Sequence, residues 1–161
     1  MTIDELKREA LQLDAATRAE LARDLLVSLD DLSEAEVERL RKETPVIFVD
    51  VHGETTSEKV ALARFLDGKV SAVVGTHTHV QTADERILAG GTAFLCDAGM
   101  CGPSDSILGR EPAAIIRRFT HCLPVSFPIA QGPVHLCGAL IEIDQHTGRA
   151  ESIQRIRERA E

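Results

Sequence analysis

Two short apolar runs, each leading into histidine, constrain this chain more than any other feature. Val46-Ile47-Phe48-Val49-Asp50-Val51 leads to His52, and Val70-Ser71-Ala72-Val73-Val74-Gly75 leads to Thr76-His77-Thr78-His79. Apolar runs of this length bounded by turn residues read as buried strands. Ligands of α/β proteins gather beyond the carboxyl ends of such strands. Three imidazoles at successive strand ends therefore form a candidate metal site, because neutral imidazole suits zinc, iron, copper and nickel. On an extended backbone, the i, i+2 spacing of His77 and His79 puts both rings on one side.

The 161 residues suffice for one ordinary domain, or a small domain with an appended segment. The chain is 43% apolar but has no Trp or Tyr and only 5 Phe, so its core must be aliphatic. A formal net charge of −8 excludes nonspecific binding to nucleic acid, whose phosphates attract basic surfaces. No apolar run approaches the roughly 20 residues of a membrane span and no signal peptide opens the chain, so a cytoplasmic protein is expected. Cys96, Cys101, Cys122 and Cys137 lack the two close pairs of a structural zinc site. They read as buried free thiols of a reducing compartment.

Two regions differ in character: a helical segment over residues 1–43 and an α/β region over residues 44–161. In the first, Ile3, Leu6, Ala10 and Leu13 recur at helical steps. Asp14 is placed to cap a second helix carrying Leu21, Leu25 and Leu29. Ser33 and Glu36 have capping-box spacing and open a third, which Pro45 ends. Leu21, Leu25 and Leu29, with Ala22 and Leu26 beside them, form an apolar face too wide for three short helices to bury. Such a face docks on another domain or chain.

From Val46 onward the pattern is strand, helix, strand. Ser57 can cap a helix over Glu58–Leu66, closed by Asp67-Gly68. Strands are expected over Val70–Gly75 and Thr92–Cys96, and Pro112 suits the first turn of a helix reaching Phe119. Further strands are expected over Val125–Ala130, Val134–Ile143 and Ala150–Ile156. His121, His135 and His146 fall at a helix end, in a strand and in a turn, and no role is assigned to them.

The segments Thr44–Lys59 (TPVIFVDVHGETTSEK), Ser71–Leu88 (SAVVGTHTHVQTADERIL), Asp97–Pro103 and Ile107–Gly109 together are specific. Over roughly residues 41–157 the chain resembles bacterial calcineurin-like metallophosphoesterases of the YmdB type, associated with 2′,3′-cyclic nucleotides. The resemblance implies an α/β, partial metallophosphoesterase fold preceded by a short all-helical segment. It matches His52, His77 and His79 to three metal-binding histidines of the family's two-metal centre. It makes Asp50 and Asp97 candidates for the acceptors that orient a ligand imidazole through its other N–H. A divalent transition metal is implied, iron or manganese first and zinc as the alternative, and a small nucleotide is the one nucleic-acid substrate compatible with the charge.

The departures from the family pattern are as specific. The family's other ligands, an Asp, a Glu and two Asn, precede this region, as does its catalytic histidine in a Gly-Asn-His stretch. This chain contains no asparagine. Two-metal phosphoesterases hold ions about 3.5–4 Å apart to stabilise attacking and leaving oxygens. Three histidines without a bridging carboxylate do not hold such a pair. The expectation is the C-terminal half of a phosphodiesterase, with no catalytic residue of its own and little activity alone.

Leu11-Gln12-Leu13 and Arg18–Asp30 resemble the short helical components of addiction (toxin–antitoxin) modules. That resemblance implies a toxin partner or self-association through the helical face. Two alternatives stand beside the truncated enzyme: an antitoxin-like interaction module, and one part of a split phosphodiesterase completed by a separate chain.

Overall fold

The computed structural model describes residues 3–14, 16–21 and 34–160, and divides the chain into two units, Met1–Arg39 and Leu40–Glu161. In the first unit, α1 spans Ile3–Gln12. Residues 16–21 are again helical, and the Asp14 carboxylate accepts the N–H groups of Ala16 and Thr17 at 3.0 and 3.1 Å, the N-cap expected of it. Leu21 is 37% exposed, while Leu25, Leu29 and Ser33 lie outside the described residues. Helix α2, Glu34–Glu43, is the element within which the two units divide.

The second unit is mixed α/β. Strand β1 (Phe48–His52), helix α3 (Thr56–Phe65) and strand β2 (Ala72–Thr76) form the crossover that the apolar runs predict. Two short strands follow, β3 (Arg86–Ile87) and β4 (Ala93–Leu95), and the sheet order is β1-β2-β4-β3. β1, β2 and β4 are parallel, and β3 runs antiparallel to β4. Central strands of parallel sheets are covered on both faces, and β2 and β4 accordingly bury Val73, Val74, Phe94 and Leu95. Phe94 is the buried phenylalanine; Phe48, Phe65, Phe119 and Phe127 are exposed, so the core is aliphatic around one ring.

Helix α3 departs from its expected start. Thr55, not Ser57, holds the cap position, and its side chain makes no capping bond, so Ser57 lies inside the first turn. The helix ends at Phe65, one residue before its expected end, and the turn that closes it runs through Asp67-Gly68, where Gly68 adopts φ +77°. The Asp67 carboxylate accepts the Gly90 N–H at 2.8 Å, tying this end to the turn before β4.

A second sheet has the order β5-β6-β7, with β5 at Gly102–Pro103, β6 at Val134–Ile143 and β7 at Ala150–Arg159. β6 and β7 form a long antiparallel hairpin in which Cys137 faces Arg157 and Gly138 faces Ile156. Helix α4, Pro112–His121, runs two residues past its expected end and closes on Cys122 at φ 54°. The strand expected over Val125–Ala130 does not form, and only an isolated Arg110–Ile129 bridge remains there. Pro124 precedes the segment and Pro128 lies within it, and neither can donate to a ladder. The cysteines also differ from expectation: all are free, but Cys96 is the buried one, Cys101 and Cys122 are exposed and Cys137 is half-buried.

Candidate metal centre

The parallel register of β1 and β2 sets His52 opposite Thr76, and His77 follows directly. The Thr76 hydroxyl donates to Asp50 Oδ1 at 3.4 Å, which leaves its oxygen to accept from His52 Nδ1 at 3.1 Å. That chain puts the His52 proton on Nδ1 and the lone pair on Nε2. His52 Nε2 lies 3.1 Å from His77 Nδ1, with the rings edge-on at 78° and 4.9 Å between centroids. Two imidazole nitrogens bound to one ion at about 2.0–2.1 Å stand about 3.0–3.4 Å apart. The pair therefore fits two ligands of a single ion.

His79 does not join them. The backbone turns left-handed at His77 (φ 132°) and again at His79 (φ 64°), so the extended geometry needed to align His77 with His79 is absent. His79 instead lines a cleft beside the β6–β7 hairpin. Among the described residues no group of three or more His, Cys, Asp or Glu side chains is placed to hold an ion. The donors present fit part of one coordination sphere, and they do not by themselves fit a two-metal centre.

Left-handed backbone at a residue other than glycine costs on the order of 1–3 kcal/mol and persists where the surroundings over-determine it. Here the determinant is Asp97, fully buried beneath the turn. Its Oδ2 accepts the Thr78 N–H at 2.9 Å and faces Lys59 Nζ at 3.3 Å, and its Oδ1 accepts the Gly99 N–H at 2.9 Å. Lys59 comes from α3, is equally buried, and its Nζ also approaches the Thr76 carbonyl at 3.5 Å. Burial pushes the Asp97 carboxyl up, but the Thr78 and Gly99 N–H groups, the Thr78 hydroxyl and Lys59 outweigh it. The net result holds the carboxyl below the ordinary aspartate value of 3.8. Neither Asp50 nor Asp97 touches an imidazole as expected: Asp50 acts through Thr76, and Asp97 through the backbone of the turn.

Thr76 and Lys59 are the residues that the sequence reading passed over. Thr76 was discoverable from the strand ends, since pairing the two runs in register puts it beside His52. Lys59 offered no such signal.

The fold and the histidine pair at its carboxyl edge define a mixed α/β protein with part of a metallophosphoesterase fold. The family model of YmdB-like proteins matches residues 29–156, and the chain belongs to that family. It is 56% identical over 115 residues to the 2′,3′-cyclic-nucleotide 2′-phosphodiesterase of Bacillus subtilis (strain 168), covering 71% of this chain and 44% of the relative. A putative phosphatase/phosphodiesterase of Mycoplasma pneumoniae is 39% identical, covering 73% of this chain and 42% of the relative. Among solved structures, a phosphatase from Mycoplasma pneumoniae superposes with a TM-score of 0.68 at 39% identity, over 71% of this chain and 41% of that one. A hypothetical protein from Thermus thermophilus superposes with a TM-score of 0.66 at 39% identity, over 76% and 49%. The chain thus spans less than half the length of the curated relatives it matches.

Proposed function

We propose that this chain carries the histidine half of a metal-dependent phosphodiesterase centre acting on 2′,3′-cyclic nucleotides. The observation that carries the reading is the 3.1 Å approach of His52 Nε2 and His77 Nδ1 at the carboxyl edge of the parallel strands. His52 and His77 would hold a divalent transition ion, manganese or iron before zinc. Such an ion polarises a phosphoryl oxygen and makes bound water acidic. Asp50 and Thr76 keep the His52 lone pair on Nε2, and Asp97 with Lys59 keeps His77 beside it. In the substrate class named by the Bacillus relative, water adds to phosphorus and the ribose 2′ oxygen leaves with a proton, so a 3′-nucleotide forms. With two histidines in contact and no asparagine in the sequence, the remaining donors and the group that protonates the leaving oxygen come from another polypeptide segment.

The test is hydrolysis of 2′,3′-cyclic AMP with added manganese. The chain alone should turn over slowly. Adding the part of the Bacillus relative that this chain does not match should raise the rate, and His77→Ala should abolish the gain. Fast turnover by the chain alone that survives His77→Ala would overturn the reading.

A second reading, an interaction segment within residues 1–43 that binds a toxin or a second copy, is favoured by one observation. Leu11, Leu13 and Leu21 are exposed there, at 70%, 37% and 37%.

A further inference from the structure

The cleft that receives His79 has a volume of about 690 Å³, within the range of roughly 300–1,000 Å³ typical of small-molecule sites. Its walls are the turn after His79, the loop around Met100 and Ser104, and the β6–β7 hairpin. By the hairpin register, His135, Cys137, Arg155 and Arg157 project from one face. Some polar groups of the lining are already engaged. Arg155 is bound to Glu85 at 2.6 Å. The Gln81 carboxamide donates to the carbonyls of Gly138 and Ile156 at 3.0 and 2.9 Å.

Other polar groups have no protein partner. His135 lines the cleft, and its Nδ1 is buried without a hydrogen-bond partner, a condition that costs stability. Among the described residues the side chains of His79 and Arg157 form no hydrogen bond or ion pair. Imidazole and guanidinium are planar groups that read base edges and stack on base faces. Val80 and Met100 supply apolar surface between them, and a thioether packs well on a flat ring.

Resting on the phosphodiesterase reading above, we propose that this cleft is the nucleoside subsite. His79, two residues from His77, marks its phosphate end, and His135 and Arg157 receive the base and ribose. His135, which sequence patterning leaves without a role, thereby becomes a specificity-determining residue. The only aromatic rings lining the cleft are the imidazoles of His79 and His135, so recognition rests on hydrogen bonding and on imidazole and guanidinium stacking, and a base lacking donors and acceptors should bind poorly.

Calorimetric titration of the full chain with 3′-AMP, adenosine and inorganic phosphate, each with and without manganese, tests this. The expected result is that His135→Ala and Arg157→Ala each weaken 3′-AMP binding by about tenfold or more, leaving the manganese and phosphate titrations unchanged. Arg157 is exposed, so its variant reports on binding even if His135→Ala fails to fold. Wild-type chain that binds 3′-AMP no more tightly than phosphate would overturn the proposal, as would two folded variants with unchanged 3′-AMP affinity. Adenosine binding that depends on His135 in a chain unable to bind manganese would sustain the subsite and defeat the metal reading instead.

Discussion

Lys59 Nζ and Asp97 Oδ2 lie 3.3 Å apart with both side chains buried, and the same oxygen accepts the Thr78 N–H of the histidine turn. The ion pair is thus a footing for the candidate metal centre, reaching it from α3 on one side and from the end of β4 on the other. Buried pairs add little net stability over apolar replacements, but breaking one strands a charge.

Lys59→Met should therefore destabilise the α/β unit by about 3–5 kcal/mol in urea unfolding. The pH dependence follows from Asp97, whose folded value is lowered relative to the unfolded one. Its contribution is complete above the unfolded value, about pH 4, and is lost as pH falls through the depressed folded value. Wild-type stability should drop below about pH 4 more steeply than that of Asp97→Asn. Matching acid limbs would contradict this role.

The histidine geometry predicts an unequal metal dependence. Titration with manganese should find at most one weakly held ion per chain, abolished by His52→Ala or His77→Ala. Thr76→Val should weaken it by about 10–100-fold, since it removes the link that orients the His52 ring. His79→Ala should matter less than His77→Ala; equal loss would show that all three rings share the ion.

Gly75 sits where a side chain has no room. A Cβ there would stand 1.8 Å from the Cys96 carbonyl oxygen and 2.8 Å from Lys59 Cδ. Gly75→Ala should cost about 3 kcal/mol or more and disturb the Lys59–Asp97 pair with it. Gly138, in β6, has nothing within 4 Å of the same position, and Gly138→Ala should be neutral or stabilising by up to about 1 kcal/mol. Thermal melts of the two variants give the contrast directly.

The leucines of the first unit predict association. Leaving such side chains in water forfeits roughly 1.5–3 kcal/mol apiece. Light scattering should find the full chain larger than a monomer, and Leu21→Asp should reduce that mass. A monomer of unchanged mass in both would remove the case for an interaction segment.

Local pattern made β1, α3, β2 and the β6–β7 hairpin legible, since a buried crossover and an alternating hairpin carry their periods in short windows. The strand ends also delivered His52 and His77 to one place. His79 was misplaced because Thr76-His77-Thr78-His79 alternates like an extended segment, with no glycine to betray the left-handed turn. That turn is imposed by Asp97, which lies 19 positions from Thr78 and is invisible to any local window. Val125–Ala130 reads as a strand by composition, but Pro124 before it and Pro128 within it prevent a ladder. The bond between Asp50 and Thr76 spans 26 positions, so the orientation of His52 waits on tertiary register.

The Gln81 carboxamide has one consequence of scale. Its nitrogen carries two protons and faces three carbonyls, those of Ala98, Gly138 and Ile156 at 3.4, 3.0 and 2.9 Å, so one proton is shared. Two of those carbonyls belong to the hairpin, and the third to the loop leaving the parallel sheet. The distance between the two layers at that point is accordingly gauged by a side chain, not by the backbone of either. A residue one methylene shorter or longer would reset the gauge, and the chain could change the size of molecule it admits while both sheets stay as they are.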